Sequence, residues 1–145
     1  MKKFVIFVAL LAAVGYGSSR YVTIYKANID LAERVENHLD DINPSSIPAV
    51  QKAVIEDAGK LGVTLTPANV TVLCAPTEDK TYAQKLVVKK VGVEFVNLNT
   101  AINVEYTANF FGLGLKQKIE KSRIKQLSGT AAHNAELEKV LEDKP

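Results

Sequence analysis

The chain has one cysteine, no tryptophan, one methionine and two histidines in 145 residues. A single cysteine excludes an internal disulfide framework and every multi-cysteine zinc or iron–sulfur site. Two histidines far apart, His38 and His133, leave little with which to build a metal centre, and no cofactor is expected. Charge of one sign is also lacking: 18 basic against 16 acidic side chains give a net charge of +2. A nucleic-acid-binding domain usually carries a clear basic excess, so no nucleic-acid partner is expected. Catalytic signatures are absent too. There is no Gly-x-Ser-x-Gly elbow, no His-Glu-x-x-His and no paired-carboxylate motif. With 47% hydrophobic and 23% charged residues, the chain reads as one small folded domain with a modest core, and as a non-enzyme.

What is present begins at the N-terminus. Lys2 and Lys3 precede eleven apolar residues, Phe4 to Val14, followed by Gly15-Tyr16-Gly17-Ser18-Ser19-Arg20. As a secretory signal, this would be a basic head, an apolar stretch and small residues before a cut near Gly17. As an anchor, the eleven residues fall short of the ~20 needed to span a bilayer. The span lengthens if Arg20 snorkels to the headgroups and Tyr16, Tyr21 and Tyr25 form an interfacial belt. Phe4 to Tyr25 then supplies 22 residues with one charge. The anchor is favoured, because no turn separates the apolar stretch from the next helix and Gly-Tyr-Gly is a poor cleavage site. Its lipid-facing residues would be Phe4, Val5, Ile6, Phe7, Val8, Leu10, Leu11, Val14 and Tyr16. The basic head then stays inside and the remainder lies outside the cytoplasm.

Helical spacing continues through Tyr21, Tyr25, Ala32, Val35, Leu39 and Ile42, with Asn28 the polar interruption, up to Asn43-Pro44. A second helix is expected after Ser45 or Ser46, with Ile47, Val50, Val54, Ala58 and Leu61 on its apolar side and Gly62 ending it. Thr66 to Asn69 reads as a turn, Val70 to Ala75 as a first strand and Pro76 to Tyr82 as a polar loop. A long strand over 86–97 would turn at Asn97 to Thr100 and return over 101–111, with Ile102, Val104, Tyr106 and Ala108 on one face. Gly112 to Gly114 punctuates before an edge strand over 115–124. The expected architecture is therefore α+β: a membrane helix continuing into an amphipathic one, a short second helix, then three or four antiparallel strands. Residues 1–25 would be the anchor or signal, 26–125 the extracytoplasmic domain and 126–145 a polar tail, as a short helix or loose.

Few side chains invite chemistry. His38 sits among Glu36, Asp40 and Asp41 and is expected to be solvated; Cys74 is expected to be a small core residue. Gly112-Leu113-Gly114 lacks the third glycine and following helix of a phosphate loop. Charge is uneven along the chain, with a net of −4 over 28–60 and +6 over 80–125. The basic excess concentrates in Lys116, Lys118, Lys121, Arg123 and Lys125, as a guarded sheet edge or a docking surface for an acidic partner. With Tyr25, Val35 and Leu39 on the first helix, these are the candidate protein-interface residues. The helix stripe would either pack on the domain's own sheet or meet a partner helix.

The Lys-Lys apolar start, the stretch Gly59-Lys60-Leu61-Gly62-Val63-Thr64-Leu65-Thr66-Pro67-Ala68-Asn69-Val70-Thr71-Val72, and Ile102-Asn103-Val104-Glu105-Tyr106 with Phe111-Gly112 resemble small bacterial single-pass membrane proteins of unknown function with a pilin-like layout. The early glutamate of type IV pilins is absent from Met1 to Phe7. The resemblance implies a location in a bacterial membrane with the domain at the periplasmic side or cell surface. It implies a shape, and partners that are the bilayer plus another protein or further copies; it carries no catalytic residues. The alternatives are a secreted soluble binding domain cut near Gly17, and a ligand carrier or enzyme with a pocket near Tyr82, Tyr106, Phe110 and Phe111, although those aromatics are more simply read as core residues.

Overall fold

Apolar and helix-favouring residues run without a proline from Lys2 to Ile42, and the chain forms one helix, α1 (Lys2–His38), ended by a 3-10 turn at Leu39–Asp41. This computed structural model describes residues 2–77 and 94–129, with side chains in 2–77 and 97–126. After Pro44 comes α2 (Ile47–Lys60). Ser46 takes its N-cap position, but its hydroxyl turns back to donate to the Asp41 carbonyl, while Asn43 Oδ1 accepts from the Ser45 and Ser46 amides. The helix closes on Gly62 at φ +76°, where the Val63 and Gly62 amides bond the Ala58 and Gly59 carbonyls. That left-handed position is why glycine stands there.

The sheet has three strands in the order β1 (Val70–Thr77), β2 (Glu94–Phe110) and β3 (Leu113–Gly129), with both pairings antiparallel. Its inner face packs on both helices. Val70, Val104 and Ile119 lie abreast, and Val72 pairs with Ile102. These join Leu31, Val35, Leu39, Ile42, Val50, Val54 and Ala58 in one core. Each of the buried Leu, Ile and Val side chains contributes about 1.5–3 kcal/mol by leaving water. Gln51 ties α2 to the start of β1 by donating to the Pro67 and Val70 carbonyls at 2.9 and 2.8 Å. The outer face, with Thr71, Glu105, Lys118 and Glu120, is exposed. The chain is thus α+β, with a long first helix, a second helix and an antiparallel sheet.

Several expectations need correction. No turn interrupts Asn97 to Thr100: β2 passes straight through, and Asn97, Leu98 and Thr100 are buried. These turn-prone letters are held extended because β1 and β3 pair with them from both sides. Cys74 and Arg123 flank Thr100, whose hydroxyl donates to the Arg123 carbonyl at 3.0 Å. Pro76 and Thr77 end β1 rather than open a loop; an edge strand tolerates the proline. β3 runs five residues past Ile124, so 126–129 are strand and not tail. The parts of the expected long strand, loop and tail at 78–93 and 130–145, with Tyr82 and His133, lie outside the described residues. Val35 and Leu39 do not form an interface: at 0% and 2% exposure they pack on their own sheet, as an amphipathic stripe beside a hydrophobic sheet face should.

Candidate membrane-facing surface

Helix α1 changes character along its length. From Asp30 onward it has one buried stripe, whereas Phe4, Val5, Ile6, Phe7, Leu10, Leu11, Val14 and Tyr16 are each 57–71% exposed, and Val8 47%. A helix that is apolar all round belongs inside a protein or a bilayer, and no part of this apolar stretch is buried against the rest of the fold. By length and composition it can cross a membrane. Two of its hydroxyls bond back to the helix: Ser18 Oγ donates to the Val14 carbonyl at 2.8 Å and Thr23 Oγ1 to the Ser19 carbonyl at 3.0 Å. Such back-bonding leaves less polar surface for an apolar surrounding to desolvate.

The β2–β3 hairpin descends along this helix like a second leg. The Tyr106 hydroxyl donates to Asn28 Oδ1 at 3.1 Å, and burial raises the Tyr106 pKa. Two turns lower on α1, Phe110 meets Tyr21 edge-on with centroids 6.3 Å apart, and lower still Phe111 meets Tyr16 at 5.5 Å. Phe110 and Phe111 contact each other at 4.8 Å, and Tyr21 stacks on Tyr25 at 6.5 Å. The three tyrosines expected to form an interfacial belt therefore form a ladder joined to the hairpin tip. Tyr25 is 57% exposed.

The tip is a two-residue turn, Phe111-Gly112, between the paired Phe110 and Leu113, with φ +52° and +82°. Both positive values mark a type I′ turn, for which Asn-Gly is the usual choice. Phenylalanine at the first position is an outlier that costs about 1–2 kcal/mol. Asn109 Oδ1 braces it by accepting from the Gly112 amide at 2.8 Å. Phe111 is 56% and Leu113 67% exposed. Sequence reasoning placed Tyr106, Phe110 and Phe111 in the core. Tyr106 is buried, Phe110 half-buried and Phe111 is not. The available signal was the uncharged run from Tyr106 to Leu115 with a phenylalanine where a hairpin turn wants a small polar residue.

The charged candidates lie at the other end. Lys121 Nζ pairs with Glu36 at 2.8 Å and Arg123 with Asp40 at 2.7 Å, while Lys125 Nζ donates to the Asp40 carbonyl. The Lys121 bond lowers the Glu36 pKa, and Asp40 raises that of Arg123. The basic end of β3 thus meets the acidic face of α1 in the same chain. Lys118 pairs with Glu120 and Glu105 on the outer face, and Lys116 is exposed. His38 is not the solvated residue expected. Its Nε2 donates to Asp57 Oδ2 at 2.9 Å, and Lys60 and Arg34 reach Asp57 Oδ1 at 2.8 and 3.4 Å. The Lys60 bond, then that of His38, lowers the Asp57 pKa. Cys74 is half-buried against the core. Among the described residues no cluster of His, Cys, Asp and Glu is arranged to hold a metal. A cleft of about 310 Å³ lies between α1 and β2, walled by Arg20, Thr23, Ala27, Leu61, Tyr106 and Asn109. No protein-family model, curated protein or solved structure matches this chain.

Proposed function

We propose that the protein is a non-enzymatic, single-pass membrane-anchored extracytoplasmic protein that presents its α+β domain to other proteins. It would act as an accessory subunit of a membrane complex or as a pilin-like component. The observation that carries this reading is the single helix whose first part is apolar on every side and whose last part is built into the domain core. An anchor continuous with a folded domain fixes that domain's height and orientation above the bilayer. The charged groups of the described residues are largely closed on one another, which suits a scaffold more than a reaction centre.

A soluble domain cut near Gly17 is the second reading. It is favoured by one fact: the buried core begins at Leu31, so the domain does not need residues 2–17 to fill it. Mass and membrane partition of the native protein separate the two. A full-length mass in the detergent phase, with partners retained after crosslinking, is the expected result. A mature chain starting near Ser18 in the soluble fraction overturns it.

A further inference from the structure

We propose that the tip of the β2–β3 hairpin, Phe110 to Leu113, is a second membrane contact that inserts into the outer leaflet beside α1. The proposal rests on the anchor reading and deepens it. About 20 helical residues are needed to cross the hydrocarbon. Counted from Phe4, they end at Thr23. Phe111 lies against Tyr16 and within 4.0 Å of where a Gly17 side chain would be. At a 1.5 Å rise per residue, Gly17 sits about 9 Å inside that boundary. A span of only ~17 residues still leaves it about 5 Å inside. Because the tip is fixed to the helix, inserting the helix brings the tip into the membrane.

The chemistry of the tip fits that depth. From Tyr106 to Leu115 no residue is charged, and Lys116 is the first cation above. Phe111 touches Tyr16 and Phe110 with one side of its ring, yet more than half of it and of Leu113 stays exposed. The left-handed Phe111 is kept at a turn that asparagine would make with less strain. Insertion in water would waste that choice; in lipid it supplies apolar area at the headgroup–acyl boundary, where interfacial side chains usually rest. The lipid surface is chosen over a second copy of the chain because the tip is continuous with the anchor's Tyr16–Tyr21–Tyr25 ladder.

The chain has no tryptophan, so single reporters can be introduced into the full-length protein. Phe111→Trp, Leu113→Trp and, as the anchor control, Leu10→Trp would be reconstituted in phosphatidylcholine vesicles brominated near the headgroup end of the acyl chains. Blue-shifted emission from F111W and L113W, quenched by the brominated lipid, is expected. Quenching of L10W alone, with the tip reporters red-shifted and unquenched, overturns the insertion while leaving the anchor intact. Blue-shifted but unquenched tip reporters also overturn it, in favour of a protein surface. If L10W is not quenched either, the anchor reading falls and takes the tip with it. Phe111→Asn gives an independent check. It should raise the melting temperature of the domain yet lower the retention of an anchor-weakened Leu10→Ser chain on vesicles; unchanged retention overturns the proposal.

Discussion

No residue of α1 from Lys2 to Ile29 is buried, whereas Leu31 and Val35, two residues further on and one turn beyond that, have no exposure at all. The backbone is the same helix on both sides of that boundary. What differs is the solvent each half is written for. The distal half separates Leu31, Val35 and Leu39 from Glu33, Asn37 and Asp40, which is the pattern of a helix with one wet side and one packed side. The proximal half makes no such separation, which is the pattern of a helix with one kind of neighbour all round. Helix continuity makes the boundary a mechanical one as well, because no linker separates the proximal half of α1 from the domain that holds its distal half. The hairpin ladder along Tyr16 to Asn28 stiffens the same join.

Matched charge insertions break the comparison most severely. Val35→Asp places an unpaired carboxylate in the core, which should cost about 3–5 kcal/mol and unfold much of the population of a domain this small. Val14→Asp places the same group on the proximal half and should leave the domain's melting curve unchanged. Its cost, about 2.5–3.5 kcal/mol, should appear instead in membrane insertion. Circular dichroism of the domain in detergent and the membrane-bound fraction after alkaline wash read the two effects separately. A loss of domain stability in V14D would show that the two halves do not face different surroundings.

A smaller effect distinguishes the ionic part of the distal half. Asp57 collects Lys60, His38 and Arg34, and its pKa lies below the ordinary aspartate value. A folded-state pKa below the unfolded one adds stability that is complete above the unfolded value, about 3.9, and is lost as pH falls through the folded value. Asp57→Asn should therefore cost about 1 kcal/mol near neutrality, discounted for the exposure of Arg34 and Lys60. Denaturant melts at a series of pH values should show wild type and D57N converging below about pH 4. A gap that stays constant into acid would place the contribution of Asp57 in shape rather than charge.

The layout was legible where pattern and local chemistry agree. The long helix, the second helix closed by Gly62, the Thr66–Asn69 turn and the inner face Ile102, Val104, Tyr106 each follow from period and caps. Asn97 to Thr100 was misread because those residues favour turns locally, and only pairing on both sides overrides that. The pairs of Asp57 with His38 and of Asp40 with Arg123 join residues 19 and 83 positions apart, so spacing along the chain carried no trace of them; only Asp57 with Lys60, three residues on, was within reach of local spacing. The hairpin tip could be read as a turn, but its height against Tyr16 depends on how the sheet lies along the helix. The candidate surface was thus half visible: its helix side came from hydropathy, and its hairpin side from packing alone.

The basic end of β3 offers the smallest test and the one most specific to how the two halves are joined. Lys121 and Arg123 reach Glu36 and Asp40 across the wet side of the distal helix, with every side chain at least a third exposed. Exposed pairs gain little, because water screens them and two long side chains must be held still. Their value lies more in fixing where β3 sits along α1 than in adding stability. Asp40→Asn should therefore lower the melting temperature slightly at low salt, and the difference should vanish once the Debye length falls to a few ångströms near molar salt. The Asp40 carbonyl still accepts from Lys125 in that variant, so the backbone anchor of the strand is untouched. If D40N instead leaves stability alone at every salt concentration but weakens capture of a crosslinked partner, the basic strand end serves docking, and the intramolecular pairs are what a partner displaces.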